Sequence, residues 1–172
     1  MNKRLLIVIS IIIILLASVI FSLKLNGPSI EMQKEMLANA EILLKYDDTQ
    51  IILNKENITM GEEENFDAVL DTSDTNPVVH SYSGVQLKNI LYSNNINIEN
   101  STAVILSAAD GYSVAYSIDE VLRDNNIYVA YMEDGQYLGS KDEGGRGPYE
   151  SIIVSDSFSN RRCKWLTKIE VK

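Results

Sequence analysis

Apolar and polar positions along the chain fall into three regimes. From Leu5 to Leu23 the run LLIVISIIIILLASVIFSL is apolar apart from its serines. At 1.5 Å per residue a helix of this length reaches about 28 Å, close to the hydrocarbon thickness of a bilayer, so the pattern predicts one transmembrane helix. Lys3 and Arg4 precede it, which places the N-terminus in the cytoplasm and the rest of the chain outside the cell membrane. A cleaved signal peptide is the competing reading. The apolar stretch is longer than the usual ~7 to 15 residues of such a segment, and no small-x-small cleavage site follows it.

In the second regime, Asn26, Gly27 and Pro28 predict a break in the helix. Met32, Met36, Leu37 and Ala40 then recur at helical spacing, predicting a stalk helix from Ile30 to about Leu44. This stripe is either a spacer or a small docking face for a partner.

The third regime consists of short β-prone runs separated by turn residues. Ile42–Tyr46 and Gln50–Leu53 flank Asp47, Asp48 and Thr49 as a hairpin. Strands are expected over Phe66–Leu70 and Val78–Tyr82. Leu87, Ile90 and Leu91 fall at i, i+3 and i+4 of a short helix, with Ser83 and Gln86 at capping-box spacing. Thr102–Ser107 and Tyr112–Ser117 form a second hairpin around Asp110-Gly111, where glycine supplies a positive φ. Ser117 and Glu120 are a further capping box, opening a helix that Asp124, Asn125 and Asn126 end. Ile127–Met132 is a strand closed by Asp134-Gly135. The domain division that follows is 1–25 for the cytoplasmic tip and anchor, 26–45 for the stalk and 46–172 for one globular domain.

Charge and composition narrow the function. The formal net charge of -9 argues against a nucleic-acid surface, which needs basic residues to neutralise phosphates. Cys163 is the only cysteine and His80 the only histidine, so no intrachain disulfide, zinc cluster or histidine-rich metal site can form. Cys163 alternates with Trp165, Ile169 and Val171, which predicts a buried, inert thiol on the core face of the last strand. No serine sits in a nucleophile-elbow context that could use His80. The Gly-rich loop KDEGGRGP, Lys141 to Pro148, carries Arg146, but no helix clearly follows it as in a phosphate cradle, so a flexible turn is expected. Arg161, Arg162 and Lys164 are expected at a solvated hairpin tip, with an anion contact as the alternative.

The order of Gly84-Val85-Gln86-Leu87, a strand, Asp110-Gly111-Tyr112-Ser113, a strand, a capped helix, a strand and Asp134-Gly135 resembles the oxidoreductase molybdopterin-binding domain of the sulfite oxidase type. GRGPYESIIV, Gly145 to Val154, and RCKWLTKIEV, Arg162 to Val171, are similar to that family's Gly-Gly-Pro segment and closing strand. The resemblance implies an α+β fold, mainly β with short helices, behind the transmembrane helix. It also implies a cofactor cleft, around which Tyr82, Asp110, Tyr112, Arg146 and Tyr149 are the candidate ligand-binding residues.

The family's enzymes ligate molybdenum through a cysteine thiolate upstream of the Gly-Val-x-Leu segment. The corresponding stretch here, Asp71 to Gly84, has no cysteine. Glu150 stands where an arginine is common, and is expected to repel a pterin phosphate. The expected function is therefore a membrane-anchored extracytoplasmic binding or interaction module with no catalytic residues, no metal and no cofactor. Its expected partners are the membrane and a small ligand or envelope protein. The alternatives are a molybdopterin-dependent oxidoreductase with unconventional ligation, and a structural stalk-and-cap protein.

Overall fold

The computed structural model describes residues 3–72 and 75–172, and within the first helix the side chains of 9–19, 31, 32 and 34–38. That helix, α1 (Lys3–Ala38), continues through Asn26, Gly27 and Pro28, so the predicted break is absent. One proline forfeits one helical hydrogen bond, and here the helix carries on beyond it. Among the described residues no helix is long and apolar enough to cross a membrane. Both ends of the predicted span, 5–8 and 20–23, lie outside the described side chains. Of those described, Ile9, Ile11, Ile12, Ile13, Ile14, Leu15, Leu16 and Val19 are all exposed.

The predicted stalk helix to Leu44 ends six residues early, because β-branched and aliphatic residues from Ile42 onward join a sheet. Leu37 at the end of α1 is buried and Ala40 packs on the core, whereas Met32 is exposed. The lower half of the predicted stripe thus docks on the chain's own domain, and the core begins ahead of residue 46.

Two five-stranded sheets enclose that core. The first has β1 (Ile42–Tyr46), β2 (Thr49–Leu53), β5 (Ala103–Ala108), β6 (Ser113–Ser117) and β10 (Leu166–Val171), in the order β2-β1-β10-β5-β6. Only the β1–β10 pairing in it is parallel. The second sheet runs β3 (Glu63–Thr72), β4 (Thr75–Gln86), β7 (Ile127–Glu133) and β8 (Gln136–Tyr137), with β9 (Glu150–Ile153) also paired to β7. Alternation works as expected on β5 and β6, where every second residue is buried. Central β7 is buried over five successive residues, Ile127 to Tyr131, because both its faces are covered.

Ile42, Leu44, Val104, Leu106, Ile169 and Val171 of the first sheet share one core cluster with Val85, Val129 and Tyr131 of the second. Leu87, Ile90 and Leu91 close it from α3 (Leu87–Ser93), as their spacing predicts. On the other face of the second sheet a small cluster holds Ala68, Tyr82, Ala130 and Ile152, with Phe66 packed on it and stacked on Tyr128 at 3.8 Å.

The Asp110-Gly111 turn and the hairpin around it form as predicted, with Gly111 at φ +92°. The Ser117/Glu120 box opens α4 (Ile118–Leu122). At α3 the capping box is absent: Gln86 is the N-cap without a side-chain bond, and the Ser83 hydroxyl instead donates to Asn65 Oδ1 at 2.7 Å. A helix not predicted, α2 (Lys55–Thr59), is opened by a reciprocal Asn54/Asn57 box, the amide version of the Ser/Glu signal.

The largest correction concerns the last strand. It starts at Leu166, and Trp165 ahead of it has φ 51°, which breaks the alternation on which its burial was predicted. Trp165 is half-buried outside the core. Its Nε1–H donates to Gly145 O at 2.7 Å and Lys141 Nζ lies 4.5 Å over the ring, so it pins the Gly-rich loop. Ile169 does lie in the core.

Candidate functional site

A line of polar side chains runs through the second sheet and the loops at one end of it. His80 Nδ1 on β4 lies 2.6 Å from Asp134 Oδ2 and 3.6 Å from Glu133 Oε1. Tyr82 OH donates to Glu133 Oε1 at 2.8 Å, and Arg162 Nη1 donates to Tyr82 OH at 2.9 Å. Arg162 Nη2 donates to Val69 O on β3 at 2.7 Å. Arg146, from the Gly-rich loop, pairs with Glu133 through Nη2 and lies 3.5 Å from Glu150 Oε2 through Nη1.

Glu150 is wholly buried on β9, and neither of its carboxyl oxygens has a hydrogen-bond partner; the same holds for Arg146 Nη1. Burial pushes Glu150 up from its ordinary value, against the opposing pull of Arg146, Arg162 and Lys164. Burial also disfavours the charge on Glu133, but hydrogen bonds from Arg146 and Tyr82 outweigh it and hold that carboxyl below its ordinary value. The expectation that Glu150 presents repulsive charge to an anion is therefore corrected: the carboxyl is sealed beside Arg146 and driven toward its neutral form.

Of the five candidate ligand-binding residues, four fall on or beside this line. Tyr82 and Arg146 meet through Glu133. Asp110 and Tyr112 line a cavity of 330 Å³ with Arg162, Lys164 and Trp165, and Tyr112 OH donates to Asn160 O at 2.9 Å across it. Tyr149 does not fit: it is fully buried in the main core, and burial alone raises its pKa. Its neighbour Glu150 faces the polar line because successive strand residues point to opposite sides.

The predicted solvated tip is also corrected. Arg161, in the 3₁₀ turn Ser159–Arg161, pairs with Asp156 at 2.5 Å and Glu120 at 2.8 Å. Arg162 is 6% exposed. Sequence reading missed Glu133 and misplaced Arg162, since both contacts join elements far apart in the chain. The one local sign was three cations packed into Arg161-Arg162-Cys163-Lys164.

Cys163 is fully buried and forms an isolated bridge with Ser151, whose N–H donates to Cys163 O while Cys163 N–H donates to Ser151 Oγ, both at 3.0 Å. Burial pushes its thiol up to about 12. The burial of this thiol was rightly expected, although it lies ahead of the last strand rather than on it. Native protein should leave Cys163 unmodified by a thiol-specific disulfide reagent over hours at pH 8 and react fully in denaturant. Rapid native labelling would contradict this burial.

The donor set does not suit a thiolate-ligated molybdenum. A ligand must be an exposed or releasable thiolate, and the one thiol is sealed and held protonated. Among the described residues no group of three His, Cys, Asp or Glu side chains could hold a metal ion.

Two sheets on a shared core, short capped helices and a polar line at one sheet end define an α+β domain of the sulfite-oxidase-like class. The model of the oxidoreductase molybdopterin binding domain matches residues 19–172, and the chain belongs to that family. The sulfane dehydrogenase SoxCD from Paracoccus pantotrophus has a similar fold, with a TM-score of 0.63 and 11% identity. The similarity covers 78% of this chain and 38% of that one, so this chain spans well under half the enzyme's length. No curated protein matches.

Proposed function

We propose that this chain is a membrane-anchored, extracytoplasmic binding module, built on the molybdopterin-domain fold and working without a molybdenum cofactor. The observation that carries this reading is the state of Cys163, the one thiol in the sequence, which is fully buried in the main core. The orientation rests on Lys3 and Arg4 and on the exposed apolar side chains described between Ile9 and Val19. Binding, as opposed to catalysis, is supported by the polar line. Its carboxylates and guanidinium groups are mostly committed to one another, and its histidine is held against Asp134.

The test combines topology with colour. Protease added to intact cells should remove the domain and leave a membrane-bound stub, and the detergent-purified full chain should show no visible absorption. A protected domain, or a chromophore that co-purifies with the protein, would overturn the reading.

A further inference from the structure

Strands β2 and β6 end the first sheet, and β3 ends one side of the second. In β2 the two-residue turn Asp47-Asp48 makes Tyr46 and Thr49 a hydrogen-bonded pair, so by alternation Leu44/Ile51 and Ile42/Leu53 are hydrogen-bonded too. The backbone N–H and C=O groups of Gln50 and Ile52 therefore point away from β1, and among the described residues nothing bonds to them. Strand β2 has no charge, proline or bulge to discourage a further strand, and Ile52 is 51% exposed. The other two edges are occupied or guarded. On β3, Val69 O accepts from Arg162 and the Asp71 N–H donates to Ser159. On β6, Glu120 takes the Ser117 N–H, and self-pairing about Ala115 would set Asp110 against Glu120.

We propose that β2 is a dimerisation edge, pairing antiparallel with β2 of a second copy of this chain about a two-fold axis at Ile51. That register is self-complementary. It sets Gln50 of each copy opposite Ile52 of the other as hydrogen-bonded pairs, for about four backbone bonds between the chains. Ile51 meets its own symmetry mate beside the core on which it already packs. At either end, the Asp47-Asp48 turn of one copy comes beside Asn54 and Lys55 of the other. Lys55 has no carboxylate partner among the described residues; its ammonium lies 5.8 Å from the centre of the Tyr131 ring. Two symmetric Asp–Lys contacts thus oppose the repulsion between copies that each carry a net charge of -9. The two-fold uses up both β2 edges, so this contact closes at two copies. An edge of five residues is far smaller than the ~20 to 30 residues a side of a freestanding interface. Anchoring both copies in one membrane supplies the missing affinity as effective concentration.

That concentration rests on the anchored reading, and recovery of the chain in the soluble fraction would overturn that reading whatever the edge does. The test is oxidation of the full chain carrying Ile51→Cys in isolated membranes, where the native thiol, Cys163, is buried. The two-fold brings the two copies of position 51 to a Cα separation of about 4.5 Å, within disulfide reach, so most of the protein should become a covalent dimer. Ala115→Cys, on the β6 edge, should stay monomeric. Adding Ile52→Pro to Ile51→Cys removes an outward N–H and leaves the β1 ladder intact; it should cut cross-linking about tenfold with the melting midpoint nearly unchanged. Lys55→Glu should slow cross-linking about fivefold, and Lys55→Arg should not. If Ile51→Cys itself lowers the melting midpoint, co-expressed Gln50→Cys and Ile52→Cys chains, altered at exposed positions, take its place and should link to each other far more than either links to itself. No covalent dimer, equal linking by Ala115→Cys, or linking unaffected by Ile52→Pro would each overturn the proposal.

Discussion

Replacing Gly84 by alanine should destabilise the domain by about 3 kcal/mol or more, a large part of a domain's typical stability. The added Cβ would lie 2.6 Å from Val129 O and 2.8 Å from Ala130 Cα. Both are backbone atoms of β7, and β7 cannot retreat because β9 is paired along its other edge. The register between β4 and β7 shifts at Ser83/Gly84, so the close approach belongs to a bulge that glycine alone permits. Chemical denaturation should show the fall in midpoint. A loss below about 1 kcal/mol would mean that β4 and β7 are not in this register.

Arg146→Met should cost about 3–5 kcal/mol, since it strips a buried charge network of its central cation. Glu133 then loses its guanidinium partner and keeps only His80 at 3.6 Å, and Glu150 loses its nearest positive charge. The sign of the pH dependence follows from the two carboxyls. Glu133 has a lowered folded pKa, so its contribution is present above the ordinary carboxylate value and is lost as the pH falls through the folded one. Glu150 has a raised folded pKa, so its burial penalty grows as the pH climbs above the ordinary value, and more steeply without Arg146. The gap between wild type and Arg146→Met should therefore be widest at neutral pH and narrow on acidification below about 4.5. Adding Glu150→Gln to Arg146→Met should recover part of the loss. A gap that is constant with pH would show that the network is not ionised as described.

Local signals in the sequence were sufficient for much of the third regime. The Asp110-Gly111 hairpin, the Ser117/Glu120 cap and the Leu87/Ile90/Leu91 stripe each depend on residues within a few positions of one another, and each is present. Failures came where a distant contact overrode a local rule. Trp165 was assigned to the core by alternation, but one residue at positive φ rotates it out to pin the loop at Gly145. Ser83 was assigned to a cap, but the neighbouring strand supplies Asn65 as a nearer partner. Gly84 stood out in the sequence as part of a motif, while its physical reason, the approach of β7, required the sheet.

The candidate site was less legible. Tyr82 and Arg146 were named, but Glu133, which joins them, sits in sequence as one more acid beside a turn. Arg162 looked like part of a solvated cationic cluster, and only the fold shows it threaded behind Tyr82 to a carbonyl on β3. Ion pairs that join residues tens of positions apart leave no period or spacing to read.

The claim at the centre of this account is that the fold is kept while the molybdenum site is not. Its most direct test is elemental analysis of the full chain, purified in detergent from a host that makes the molybdenum cofactor, beside a Cys163→Ser variant. Both proteins should contain molybdenum at far below one atom per chain, with no difference between them. Near-stoichiometric molybdenum in the wild type that disappears in Cys163→Ser would show that the buried thiol is a ligand after all, and would contradict the account.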